Sequence, residues 1–226
     1  MGKIIVIDGT SNAGKTTLCE NMEKNIGNVG IIPGASLFAK MHQEKYPKIP
    51  AIPKNKDEEK ENQEFFFKLE LDRLIEANKI AKQRKDVFMD RGVLEILSVA
   101  YSFESIKGWN GIYENAVKLY KKFIAIANKN GIDLPDEYIW LQADSKEIVR
   151  RNKTRQIERG QVLSECDWIE TNLINKQIEF FNKLCIPENE DKIHLVDTNN
   201  MTKRNVFAYV CNLLKLKEKE MERNDD

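Results

Sequence analysis

The chain has 226 residues, 41% of them hydrophobic and 32% charged, with Lys+Arg 36 balancing Asp+Glu 36. That length supports one large domain and buries enough surface to fold without disulfide or metal staples. Zero net charge argues against a dedicated nucleic-acid or membrane-surface binder, which would carry a basic excess. No apolar run reaches the roughly 20 residues of a membrane span, and the first one stops at Asp8, too early for a signal peptide. Four separated cysteines and two histidines form no zinc pattern. The chain reads as a cytoplasmic protein with reduced thiols.

In chain order, Lys3 to Asp8 (KIIVID) is a β-branched strand run that ends in a Gly-rich loop, and a helix follows over about Lys15 to Ile26. Val29 to Ile32 is a second strand. Leu37 to Pro53, with Pro47, Pro50 and Pro53 at every third residue, is expected to be an irregular extended loop. A long helix runs from the charged stretch at Lys54 to about Lys85, and Asp86 to Asp90 is a third strand. Helices are expected over Leu94 to Ser105 and Tyr113 to Asn130, then a strand over Glu137 to Leu141. Ser145 to about Arg155 and Asp167 to Leu184 are helical, Lys192 to Val196 is a fifth strand, and Lys203 to Lys217 is a last helix before a charged tail at about 217–226. Apolar strands alternating with helices predict an α/β fold: a five-stranded parallel sheet flanked by helices, in one domain over 1–226.

Gly9-Thr10-Ser11-Asn12-Ala13-Gly14-Lys15-Thr16 fits G-x-x-x-x-G-K-[ST] at every specified position, between a strand and a helix. The two glycines let successive backbone N–H groups turn inward around phosphate oxygens, and the helix N-terminus adds partial positive charge. The pattern assigns ATP or GTP to residues 9–17, Thr17 included, with Lys15 reaching the β/γ-phosphates and Thr16 ligating Mg²⁺. Asp90 closes a strand at the sheet edge where ligands bind in open α/β folds, so it is a second candidate for the metal or for the acceptor hydroxyl. Arg91 is a candidate anion clamp. Asn128-Lys129-Asn130-Gly131 lacks the aspartate of a guanine-reading motif and reads as a helix C-terminal turn with Gly131 left-handed.

Ile7-Asp8-Gly9-Thr10 with its loop, Asp90-Arg91-Gly92, and a basic segment after the fourth strand resemble the thymidylate kinase and deoxynucleoside kinase superfamily. The resemblance implies a P-loop fold, ATP with Mg²⁺, and a small-molecule acceptor, a nucleoside or nucleoside monophosphate. A homodimer is compatible with it. It also implies an Arg-bearing lid at about 146–164, where Arg151, Arg155 and Arg159 share one helical face. Arg151 and Arg155 are the stronger candidates to stabilise charge on the transferred phosphoryl group. On the long helix, Gln63, Phe66, Glu70 and Arg73 fall on one arc and are candidates to line the acceptor site, with Phe66 stacking on a base and Gln63 bonding its edge. The loop after the last strand, Asp197 to Asn200, would pass near the adenine. One departure stands out. Relatives of this kind place a glutamate base or an Arg-Glu-Pro-like sequence after the second strand, and this chain has Pro33-Gly34-Ala35. Asp8 or Asp90 would then serve as base, and a kinase of a non-nucleoside alcohol or a regulatory P-loop NTPase are the competing classes.

Overall fold

The computed structural model describes residues 1–160, 170–183 and 191–217. Its elements are β1 (Ile4–Gly9), α1 (Lys15–Asn25), β2 (Val29–Ile32), α2 (Ala35–Met41), α3 (Lys56–Ala81), β3 (Asp86–Asp90), α4 (Val93–Lys107), α5 (Ile112–Lys129), β4 (Glu137–Gln142), α6 (Ser145–Glu158), α7 (Thr171–Lys183), β5 (Ile193–Asp197) and α8 (Lys203–Leu214). The five strands form one sheet in the order β2-β3-β1-β4-β5, and every pairing is parallel.

β1 lies at the centre of the sheet, so its C-terminal end carries the phosphate-loop sequence to the middle of the ligand-binding edge. Its alternating side chains serve two cores, as a strand buried on both faces requires. Ile4 and Val6 join Met89, Leu97, Trp140 and Phe181 on one face. Ile5 and Ile7 join Leu18, Met22, Leu141 and Val210 on the other. In register, Ile7 faces Asp90 of β3, and Gly9 faces Leu141 of β4. The loop residues and Asp90 therefore leave the sheet side by side.

The expected loop over Leu37 to Pro53 is corrected in its first part: Ala35–Met41 is helix α2, with Phe38 and Ala39 buried. Ala, Leu, Lys and Met are strong helix formers, and the prolines that argue for extended chain begin only at Pro47. Gly131 ends the α5 turn with φ +62°, as its sequence suggests. The tail from 218, part of the proposed lid (161–164), and the ends of the Asp167–Leu184 helix lie outside the described residues.

Candidate active site

Two features make the loop after β1 possible. Gly9 has φ +142°, and a Cβ there would stand 2.0 Å from the Leu141 carbonyl oxygen. Gly14 has φ +106° and caps α1 without a side-chain bond, leaving the helix's first N–H groups free. Between them the chain turns through Asn12, itself left-handed at φ +56°. Lys15 is 4% exposed. Its ammonium donates to the carbonyl oxygens of Gly9 (2.7 Å) and Thr10 (2.8 Å), so it lies across the loop's own mouth. Burial pulls its pKa down to about 8, with Arg91 pushing the same way and Glu95 and Asp8 opposing.

Thr16 Oγ1 donates to Asp90 Oδ2 at 2.7 Å. Asp90 Oδ1 and Asp8 Oδ2 are buried and have no hydrogen-bond partner among the described residues. Burial pushes the Asp8 carboxyl well above its ordinary range, helped by the nearby charge of Glu95. A hydroxyl and a carboxylate with a spare buried oxygen are the hard donors magnesium prefers. Among the described residues, no group of three or more His, Cys, Asp or Glu side chains is placed to hold a metal unaided. The donors therefore suit an ion that arrives with phosphate oxygens and water completing its shell.

The loop from Asn12 to Thr17 forms one wall of a cleft of about 530 Å³. Arg150, Arg151, Arg155 and Arg159 on and just past α6 form the facing wall, and Met201 to Lys203 with Val206 of α8 close a third side. Arg151 is the best anchored of the four. It donates to the Thr198 carbonyl (2.6 Å), Thr198 Oγ1 (3.0 Å) and Glu147 (2.8 Å). Arg155 reaches the Asn12 side chain at 3.0 Å, and Asn12 also donates to Asn152 at 3.2 Å. Hydrogen bonds from Arg150 and Arg151 hold Glu147 down to about 2. The loop at 197–200, expected near the adenine, is thus tied through Thr198 to the α6 wall.

On the other side of β1, the α3 residues turn inward. Arg73 is fully buried. It donates to the Pro33 carbonyl (3.1 Å), the Asp90 carbonyl (2.7 Å) and Glu70, stapling the ends of β2 and β3. Gln63 is 1% exposed. Its amide donates to Glu59 (3.0 Å) and the Ile112 carbonyl (3.3 Å), and its oxygen accepts from Asn115 (2.9 Å). Phe66 is half-buried, edge-on to Phe65. The structure therefore gathers the P-loop, Asp90, Arg91, Arg151 and Arg155 around one cleft edge and puts Gln63, Glu70 and Arg73 in buried networks beside it. Glu95 went unnoticed in the sequence: it pairs with Arg91, and the i, i+4 spacing was the available signal.

A family model for deoxynucleoside kinase matches residues 5–177, which contain the loop, Asp90-Arg91 and the four arginines of the facing wall. The chain belongs to the deoxynucleoside kinase family. As a member it is an enzyme of nucleoside or nucleotide phosphoryl transfer. The fold agrees. Thymidylate kinase from Candida albicans superposes with a TM-score of 0.60 at 13% identity, over 96% of this chain and 97% of that one. Deoxyadenosine kinase from M. mycoides, solved with bound dCTP, gives 0.54 at 19% identity, over 94% and 98%. No curated protein sequence matches the chain. No helix among the described residues is long and apolar enough to cross a membrane.

Proposed function

We propose that this kinase transfers the γ-phosphoryl group of ATP to a hydroxyl of a deoxynucleoside. The observation that carries the reading is the juxtaposition at the end of β1: a glycine-shaped loop holding Lys15, the Thr16–Asp90 pair, and arginines across the same cleft. With nucleotide bound, the Lys15 ammonium exchanges its two carbonyl acceptors for phosphate oxygens, and backbone N–H groups from Asn12 to Thr17 receive the rest. Thr16 and Asp90 would hold Mg²⁺, whose charge would neutralise the β- and γ-phosphates. Arg151 and Arg155 close over the phosphoryl group from α6, acting as the lid the sequence suggests.

The acceptor side favours an uncharged hydroxyl over a monophosphate. Its two arginines already carry their own carboxylates: Arg91 pairs with Glu95, and Arg73 with Glu70. A phosphate dianion there would have to displace one of them. We assign Phe66 to stacking on the base, Arg73 with Glu70 to holding α3 against the ends of β2 and β3, and Gln63 to tying α3 to α5, so that the acceptor lies in line. Cys19 is a buried free thiol, in keeping with a reducing cytoplasm.

A coupled assay of ADP release with deoxyadenosine, deoxycytidine, deoxyguanosine and thymidine tests the reading. Release that depends on one or more of the four supports it. ATP turnover indifferent to all of them would point to a regulatory NTPase, and turnover only with their monophosphates would move the acceptor one phosphate along.

A further inference from the structure

Transfer to a hydroxyl leaves a proton to be taken up. The turn after β2, Pro33-Gly34-Ala35, supplies no carboxylate. Four carboxylates stand around the ends of β1 and β3, and three are committed elsewhere. Asp8 is 1% exposed and accepts from the Gly9 N–H beneath the loop. Asp90 gives Oδ2 to Thr16 on the phosphate side. Glu70 is clamped by the fully buried Arg73. Glu95 differs. It sits in the first turn of α4, directly after the Asp90-Arg91-Gly92 turn, and its side chain remains 17% exposed. It pairs with Arg91, which lines the cleft and is 38% exposed. Lys15 from α1 and Asp8 from β1 lie within its electrostatic reach, as do Glu70 from α3 and Arg91 beside it. The neighbouring Val93, Leu94 and Leu97 are buried in the core, so the carboxylate stands on a fixed platform.

We infer that Glu95 is the group that takes the proton from the acceptor hydroxyl, with Arg91 holding the carboxylate in place. The inference rests on the kinase reading above and commits it to an alcohol acceptor. In the step, the hydroxyl oxygen forms its bond to the γ-phosphorus. The bond from γ-phosphorus to the β–γ bridging oxygen breaks, its electron pair leaving with ADP. The hydroxyl proton passes to a Glu95 carboxylate oxygen and from there to solvent. Arg91 is a positioning residue in this scheme: a guanidinium bonded to the carboxylate fixes its orientation beside the cleft that Arg91 itself lines.

The test is steady-state kinetics of Glu95→Gln and Glu95→Asp with whichever of the four deoxynucleosides the wild type turns over fastest, across pH 5 to 9. Glu95→Gln should lower kcat by about 10²-fold, leave the KM for ATP and the melting temperature unchanged, and erase the acidic limb of the kcat–pH profile. Glu95→Asp should retain that limb at an intermediate rate. If the Gln variant does not fold, the Asp variant decides: an intermediate rate with the limb kept supports the role, and a wild-type rate overturns it. A Gln variant as fast as wild type, or one slowed with its acidic limb intact, overturns the role of Glu95 alone. A wild type that phosphorylates none of the four nucleosides overturns the role together with the reading on which it rests.

Discussion

Glu59 lies in the first turn of α3, 4% exposed, with Oε1 accepting from Gln63 Nε2 at 3.0 Å. Burial pushes its pKa up to about 7, against the hydrogen bond from Gln63, which pulls it down. The folded carboxyl therefore keeps its proton where the unfolded chain, with an ordinary pKa near 4.3, has lost it. Between those values the folded state binds more protons, so stability falls as pH rises from about 4.5 to 7 and is level above. Glu59→Gln retains an oxygen for Gln63 and removes the ionisation. It should flatten that slope and stabilise the protein at pH 8 by up to about 3 kcal/mol, read from urea midpoints of wild type and variant at pH 5, 6, 7 and 8. Little of this was visible in the sequence, where Glu59 is one letter of a charge run that ordinarily marks a solvated face. Its burial depends on Ile112 and Asn115 of α5, some fifty residues away, meeting Gln63. The same holds for Glu70 and Arg73. Their i, i+3 spacing is legible, but the carbonyls that turn Arg73 inward come from Pro33, just past β2, and from Asp90 at the end of β3.

The strands were legible because each is a short β-branched or aromatic run that ends at a turn residue or a polar side chain; β3 matches its expected bounds at both ends. The phosphate loop was legible because its spacing is a backbone requirement, and backbone requirements leave glycines behind. Gly9 shows how strict this is. Any Cβ at this position would meet the β4 backbone at Leu141, and φ +142° is strained for any other residue. Gly9→Ala should lower stability by about 3 kcal/mol or more, since neither the β1–β4 pairing nor the loop can yield without the other; a urea melt at pH 7 measures it. Helix α2 was hidden because three downstream prolines dominate the reading of its neighbourhood. The α6 wall is half legible: its arginine spacing is in the sequence, while its docking is not. Arg151 holds the Thr198 carbonyl beyond β5 and Glu147 on its own helix. Arg151→Ala removes both the docking and the charge, and should lower kcat by about 10³-fold with a smaller effect on the KM for the acceptor. Arg151→Lys should recover only a minor part, because an ammonium cannot reproduce the planar fork.

Zero net charge over the chain means that no long-range field gathers a polyanion. The attraction is local: Lys15, Arg91, Arg150, Arg151, Arg155, Arg159 and Lys203 converge on one cleft, against Glu20, Glu147 and Glu158. The walls of that cleft come from distant parts of the chain, namely the β1–α1 loop, α6 and α8. A nucleotide bound there bridges elements that otherwise meet through few direct bonds, such as those from Asn12 to Asn152 and from Arg155 to Asn12. Binding to the native state alone must then raise the unfolding temperature. At a free concentration near 100 times Kd the gain is about 2.7 kcal/mol, which for a chain of this length is roughly 5–10 °C. Differential scanning fluorimetry with a non-hydrolysable ATP analogue and magnesium measures it. In Lys15→Ala the loop keeps its glycines and its place at the end of β1, so the unliganded melting temperature should stay near that of wild type. The analogue should then shift it little, because the ammonium that would meet the phosphates is gone. A shift as large as wild type in that variant would place the nucleotide elsewhere on the molecule.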